Sequence, residues 1–127
     1  GHVHSGSLGW VGFIPFGALY YLVPKLWGRK EVYSLKLVNA HLWIATIGIV
    51  LYISAMWVSG IMQGLMWRAY DEYGTLAYTF AESVSAMHPY YVMRVIGGVL
   101  VVLGAVTMLI NIVATIRKSG NVQTANA

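Results

Sequence analysis

LVNAHLWIATIGIVLYISAMWVSGIMQGLMW, residues 37–67, runs for 31 positions without an aspartate, glutamate, lysine or arginine. A helix rises about 1.5 Å per residue and the hydrocarbon of a bilayer is about 30 Å thick, so this stretch can cross with tilt or project past the interface. Two further stretches read the same way. Residues 1–23 carry no formally charged side chain, and residues 90–116 carry one, Arg94, near their start. The sequence therefore predicts an all-α membrane fold of three transmembrane helices, with spans at about 2–24, 36–67 and 90–117 and a polar tail at 118–127.

Composition supports the same class. Of the 127 residues, 58% are hydrophobic and 9% charged, with a mean hydropathy of +0.66, whereas soluble domains carry about 25% charged residues. The chain has no cysteine. Disulfides, thiolate metal sites, iron–sulfur clusters and cysteine nucleophiles are thereby excluded, and four histidines remain as the strong nitrogen ligands. A net charge of +4 and a pI near 9.5 would suit nucleic acid, but the basic residues flank apolar runs instead of forming a stripe. The opening Gly1-His2-Val3-His4 has no basic segment before its apolar stretch, and the start reads as a position inside a longer protein.

The loops give an orientation. Pro24-Lys25-Leu26-Trp27-Gly28-Arg29-Lys30-Glu31 combines a helix breaker, a glycine and three basic residues at a membrane surface. Lys25, Arg29, Lys30 and Lys36 lie on the same side as Arg117 and Lys118, and that side is expected to be cytoplasmic, with the C-terminus there. The opposite segment, residues 68–89, sets Asp71, Glu72 and Glu82 against Arg68, with Arg94 beyond it. It reads as a loop with a short interfacial helix around 76–87.

His2 and His4 are two positions apart, which on a helix turns their side chains by about 200°. One metal ion would not suit both. The spacing suits a helix wedged between two cofactors, each imidazole giving an axial nitrogen to a different haem iron. Ser5, Gly6, Ser7, Gly9 and Gly12 would let flat groups approach the backbone. Two solvated histidines at an interfacial helix start are the plainer reading of the same residues. His41 reads as a structural or hydrogen-bonding histidine inside the second span. Gly60 and Gly64 read as a helix-packing pair and Gln63 as a polar contact within the bundle. Trp10, Trp43 and Trp57, inside the spans, read as packing on neighbouring helices or on a flat cofactor.

Four segments carry a family resemblance: Gly1-His2-Val3-His4-Ser5-Gly6-Ser7-Leu8-Gly9-Trp10, His41-Leu42-Trp43-Ile44-Ala45-Thr46-Ile47-Gly48-Ile49-Val50, Gln63-Gly64-Leu65-Met66-Trp67-Arg68-Ala69-Tyr70 and Met87-His88-Pro89-Tyr90-Tyr91. Together they resemble the C-terminal part of the catalytic subunit I of cbb3-type cytochrome c oxidases, the C-type haem–copper oxidases. The resemblance implies the last three helices of a subunit of about twelve. It implies that His2 is the axial ligand of the high-spin haem b and His4 an axial ligand of the low-spin haem b, with no catalytic residue beyond these ligands. Arg68, Arg94 and His88 become candidates for haem propionate contacts, against interfacial snorkelling for the arginines and loop termination for His88.

By the same resemblance, the function implied is that of a proton-pumping cytochrome c oxidase, reducing oxygen to water in an aerobic or microaerobic respiratory chain of a bacterial inner membrane. The partners implied are the rest of subunit I, membrane c-type cytochrome subunits, cytochrome c as electron donor, oxygen and the lipid bilayer, with no nucleic acid. Copper belongs to the parent complex. Its three histidines, the active-site tyrosine and the second low-spin haem ligand would lie upstream, so a chain of this extent is not expected to be active alone. A nitric oxide reductase-like large subunit and a cofactor-free membrane anchor or assembly subunit are the alternatives, the anchor distinguished by the lack of a haem absorption band.

Overall fold

Two capping residues start the long helices. The Ser34 hydroxyl accepts the Leu37 amide at 3.4 Å, and the Thr79 hydroxyl accepts the Glu82 amide at 3.2 Å while the Glu82 carboxylate takes the Thr79 amide at 2.7 Å. The second arrangement is a capping box, satisfying amides that a helix start otherwise leaves open. In the computed structural model, which describes residues 1–117, the chain forms three helices: α1 (His2–Leu26), α2 (Leu35–Met66) and α3 (Phe80–Arg117). All three are long and apolar enough to cross a membrane. The expected tail at 118–127, with Lys118, lies outside the described residues.

α1 is not uniform. After one α-helical turn at His2–His4 it widens into a π-helix over Ser5–Gly12 and returns to α-helix at Phe13–Leu26. Three glycines make the widening cheap, and Pro15, lacking an N–H and crowding the preceding turn, disfavours a regular ladder there. The helix ends at Gly28, whose φ of 61° reverses the chain so that the Arg29 amide reaches the Pro24 carbonyl at 2.7 Å.

α2 and α3 form the antiparallel core. Ala45, Gly48, Ile49 and Ala55 are buried against Met87, Gly97 and Gly104. Buried positions on α3 recur at 83, 87, 97, 104, 111 and 115, following the three-and-four spacing of a packed helix face. The end away from the basic loop is tied by the Trp67 indole donating to the Ser83 hydroxyl at 3.4 Å. At the basic end the Asn111 carboxamide accepts the Ser34 amide and donates to the Ser34 carbonyl, both at 3.0 Å. Beside it the Thr115 hydroxyl accepts the Tyr33 amide at 2.9 Å, and the Arg29 guanidinium caps the Ile116 carbonyl at 3.0 Å.

Two expectations are corrected. The third helix begins at Phe80, ten residues before the expected 90, and the expected short helix around 76–87 is part of it. Thr79 and Glu82 set that start, and the helix continues through Pro89, which forfeits one backbone bond. Gly60 and Gly64 do not meet another of these three helices: both are exposed, and among the described residues a side chain at either would meet open space. The close contact is made by Gly48 and Gly97.

α1 leans on this pair at few points, and Val3, Trp10, Val11, Ile14 and Tyr21 are more than half exposed. Side chains so apolar need lipid or further helices around them.

Candidate functional site

Each sequence-derived candidate has a definite place on this frame. His2 and His4 sit on the first helical turn of α1, held by the Ser5 amide on the Gly1 carbonyl at 2.9 Å and the Ser5 hydroxyl on the His2 carbonyl at 2.7 Å. The two side chains have different surroundings. His4 is half-buried and lies against the Tyr52 ring of α2, centroids 5.3 Å apart and planes at 44°. His2 is exposed. Among the described residues neither imidazole makes a side-chain hydrogen bond, so both leave nitrogen lone pairs available. The π-helical stretch after them leaves open space over Gly6 and Gly9, where an added Cβ would meet nothing within 4 Å.

Tyr52 joins the three helices at one level. A Cβ on Gly97 would stand 3.1 Å from the Tyr52 Cβ, and one on Gly98 would stand 3.8 Å from its ring, while the other side of Tyr52 receives His4. No sequence signal marks Tyr52, since an aromatic residue in an apolar span has many plainer uses.

Arg94 lies three residues from Gly97 toward the start of α3, exposed, with its guanidinium 5.5 Å from the Tyr91 ring. That places it about one helical turn from the His4 level. Arg68, also exposed, lies just past the end of α2 beside the Trp67–Ser83 contact. Ser83 and Arg94 are eleven residues apart on α3, about 16 Å along the axis, so the two arginines are not brought together. His88 is exposed within α3, six residues from Arg94 and therefore about 240° around the helix from it. It lies inside the helix and does not end a loop. Trp10, Trp43 and Trp57 are 73%, 63% and 52% exposed, so none is packed into this three-helix core.

His41 stands apart from the His2–His4 turn, eleven residues from Tyr52 toward the basic end. It is 2% exposed, its Nδ1 is 3.0 Å from the Tyr20 hydroxyl of α1, and Phe16 meets it edge-on at 5.2 Å. This is the hydrogen-bonding histidine expected from the sequence. Asn111 and Thr115, both buried, are absent from the sequence-derived candidates, although a polar residue within a span is itself a signal.

Comparison with known proteins places these residues in context. A family described as Cytochrome C and Quinol oxidase polypeptide I matches residues 1–100. The chain is 66% identical over 117 residues to the cytochrome c oxidase subunit 1 homolog, bacteroid, of Bradyrhizobium diazoefficiens, covering 92% of this chain and 21% of that protein. It is 61% identical over 118 residues to cytochrome c oxidase subunit 1 of Rhodobacter capsulatus, covering 93% and 22%. It is 54% identical over 119 residues to the cbb3-type cytochrome c oxidase subunit CcoN1 of Stutzerimonas stutzeri, covering 94% and 25%. The chain thus spans between a fifth and a quarter of the length of these relatives.

Proposed function

This chain belongs to the cytochrome c and quinol oxidase polypeptide I family, and on that premise we propose that it provides the haem-ligating turn of a cbb3-type cytochrome c oxidase subunit. In this reading His2 would hold a high-spin haem b and His4 a low-spin haem b, each through an imidazole nitrogen. The observation that carries it is the pair of differently disposed imidazoles on one helical turn, neither engaged in a hydrogen bond, beside a glycine-lined stretch with open space.

The residues fit such groups. Among the described residues no three histidines, aspartates or glutamates gather around one point, which a bare ion would require. A porphyrin-held iron needs only one or two imidazoles from the protein, because the macrocycle fills the other positions. When bound, the haems supply the electron-transfer and oxygen chemistry, together with copper held by parts of the parent protein beyond these 127 residues. The chain's own work is to fix both imidazoles to one rigid turn. Tyr52 limits the rotation of His4, and the Ser5 hydroxyl braces the turn through the His2 carbonyl. Arg94, one turn outward of the His4 level, is the candidate partner for a propionate; Arg68 and His88 lie farther from that level or on another face.

The activity of the whole is then reduction of oxygen to water with electrons from cytochrome c, coupled to proton pumping. The setting is a bacterial inner membrane, with the basic loop and the C-terminus cytoplasmic and with c-type cytochrome subunits as partners. The relatives, each named as a cytochrome c oxidase subunit, favour this over a nitric oxide reductase-like subunit. Haem content tests the reading against an anchor. The purified parent protein should show a strong Soret band and non-covalent b-type haem on extraction, and a colourless preparation would defeat it.

A further inference from the structure

Near the basic end of the bundle, 21 residues of sequence separate two side chains that meet across helices. The Tyr20 hydroxyl of α1 is 3.0 Å from Nδ1 of His41 on α2. His41 is almost wholly enclosed, yet its second nitrogen, Nε2, is buried without a hydrogen-bond partner. A buried polar atom left unpaired costs free energy, and in a span such a group is a functional signal. On the other side of Tyr20 lies a cavity of about 340 Å³, lined by Tyr20, Tyr21, Lys25, Lys30 and Glu31 among others. The cavity opens between the end of α1 and the start of α2, at the basic loop. Water-accessible acid–base groups, a hydroxyl and a buried imidazole are thus arranged in series.

We propose that Tyr20 and His41 form a proton-uptake site fed from the basic face of the membrane. Neutral His41 accepts the Tyr20 O–H at Nδ1 and carries its own proton on Nε2. In the transfer the Tyr20 O–H bond breaks as a new N–H bond forms at Nδ1, and the phenol oxygen takes a replacement proton from a hydronium in the cavity. Tyr20 stays neutral, His41 becomes imidazolium, and the cavity loses one positive charge. The groups around the relay are few. α1 contributes Tyr20, Tyr21 and Lys25, and the loop contributes Lys30 and Glu31. α3 faces His41 with Gly104 and Tyr20 with Asn111, neither of which titrates. Phe16 closes the remaining side and keeps bulk water from the ring.

The site rests on the oxidase reading only in needing protons drawn from one face, and its test reads the histidine directly. The parent oxidase, labelled with isotopic histidine, is followed by infrared spectroscopy after a pH jump between about 8 and 5, the window in which an imidazole changes charge. The expected result is a His41 imidazolium signal, lost in His41→Gln and slowed about a hundredfold in Tyr20→Phe, with the haem spectra of both variants unchanged. No His41 signal in the wild type would overturn the site. An unchanged rate in Tyr20→Phe, a variant that keeps the ring packing, would overturn the route. A loss of haem spectra throughout would instead defeat the oxidase reading.

Discussion

Gly48 of α2 and Gly97 of α3 press backbone against backbone: a Cβ built on either would fall 2.7 Å from the carbonyl oxygen of the other. Without a hydrophobic drive between helices in lipid, such close approach supplies the van der Waals contact that holds the pair together. Gly48→Ala and Gly97→Ala should each therefore force the helices apart and destabilise the pair by about 1–3 kcal/mol. Gly60→Ala and Gly64→Ala, which meet open space, should cost far less. Thermal unfolding of the parent protein in detergent compares the four variants, and equal losses at all of them would contradict this crossing.

Asn111 grips both backbone groups of Ser34 at 3.0 Å. Asn111→Leu keeps the branched shape but leaves the part-buried Ser34 amide without its partner, at a cost of about 1–3 kcal/mol, while the Ser34 carbonyl keeps only the Val38 amide at 3.3 Å. The loop at 27–34 should become sensitive to protease in that variant. Wild-type resistance to cleavage in Asn111→Leu would show that the clasp is not what holds the loop.

The turn between α2 and α3 is organised by Asp71. Its Oδ1 accepts the amides of Tyr73 and Thr75 at 2.9 and 2.8 Å, and its Oδ2 accepts the Thr75 hydroxyl at 2.5 Å. The Thr75 hydroxyl, then its amide, hold the carboxyl below its ordinary pKa of 3.8. A lowered folded-state value means that this contribution is complete above the ordinary pKa and is lost as pH falls through the depressed one. Amide exchange at Tyr73 and Thr75, corrected for intrinsic rates, should stay slow from neutral pH down to about 4 and rise only in stronger acid. In Asp71→Ala, which removes the accepting oxygens, it should be fast throughout.

Thr79→Ala removes the hydroxyl that accepts the Glu82 amide and meets the Glu82 carboxylate at 2.8 Å. The first turn of α3 should fray, with faster exchange at Glu82 while the buried stretch around Gly97 and Gly104 is unaffected. A change spread along all of α3 would mean that Thr79 acts through tertiary packing.

The two helices without polar interruption were legible in the sequence. Expected limits of 2–24 and 36–67 compare with helices at 2–26 and 35–66, because charge and proline at residues 24–36 leave little choice. α3 was less so. Glu82, His88 and Pro89 disguise its first ten residues, although Thr79-x-x-Glu82 is a start signal in plain view. Gly60 and Gly64 have the spacing of a packing pair, yet spacing cannot say which face of a helix meets a neighbour, and the neighbour chose Gly48. The separation of His2 and His4 by about 200° around the helix follows from helical geometry alone. The Tyr20–His41 contact and the role of Tyr52 do not, since each depends on how separate helices dock.

The most direct test of the central claim is the reduced and carbon-monoxide-bound optical and resonance Raman spectrum of the purified parent complex, for wild type, His2→Ala and His4→Ala. Loss of the high-spin, carbon-monoxide-binding haem in His2→Ala and disruption of the low-spin haem in His4→Ala is the predicted result. Wild-type spectra in both variants would contradict ligation by this turn and leave the helices as a membrane anchor.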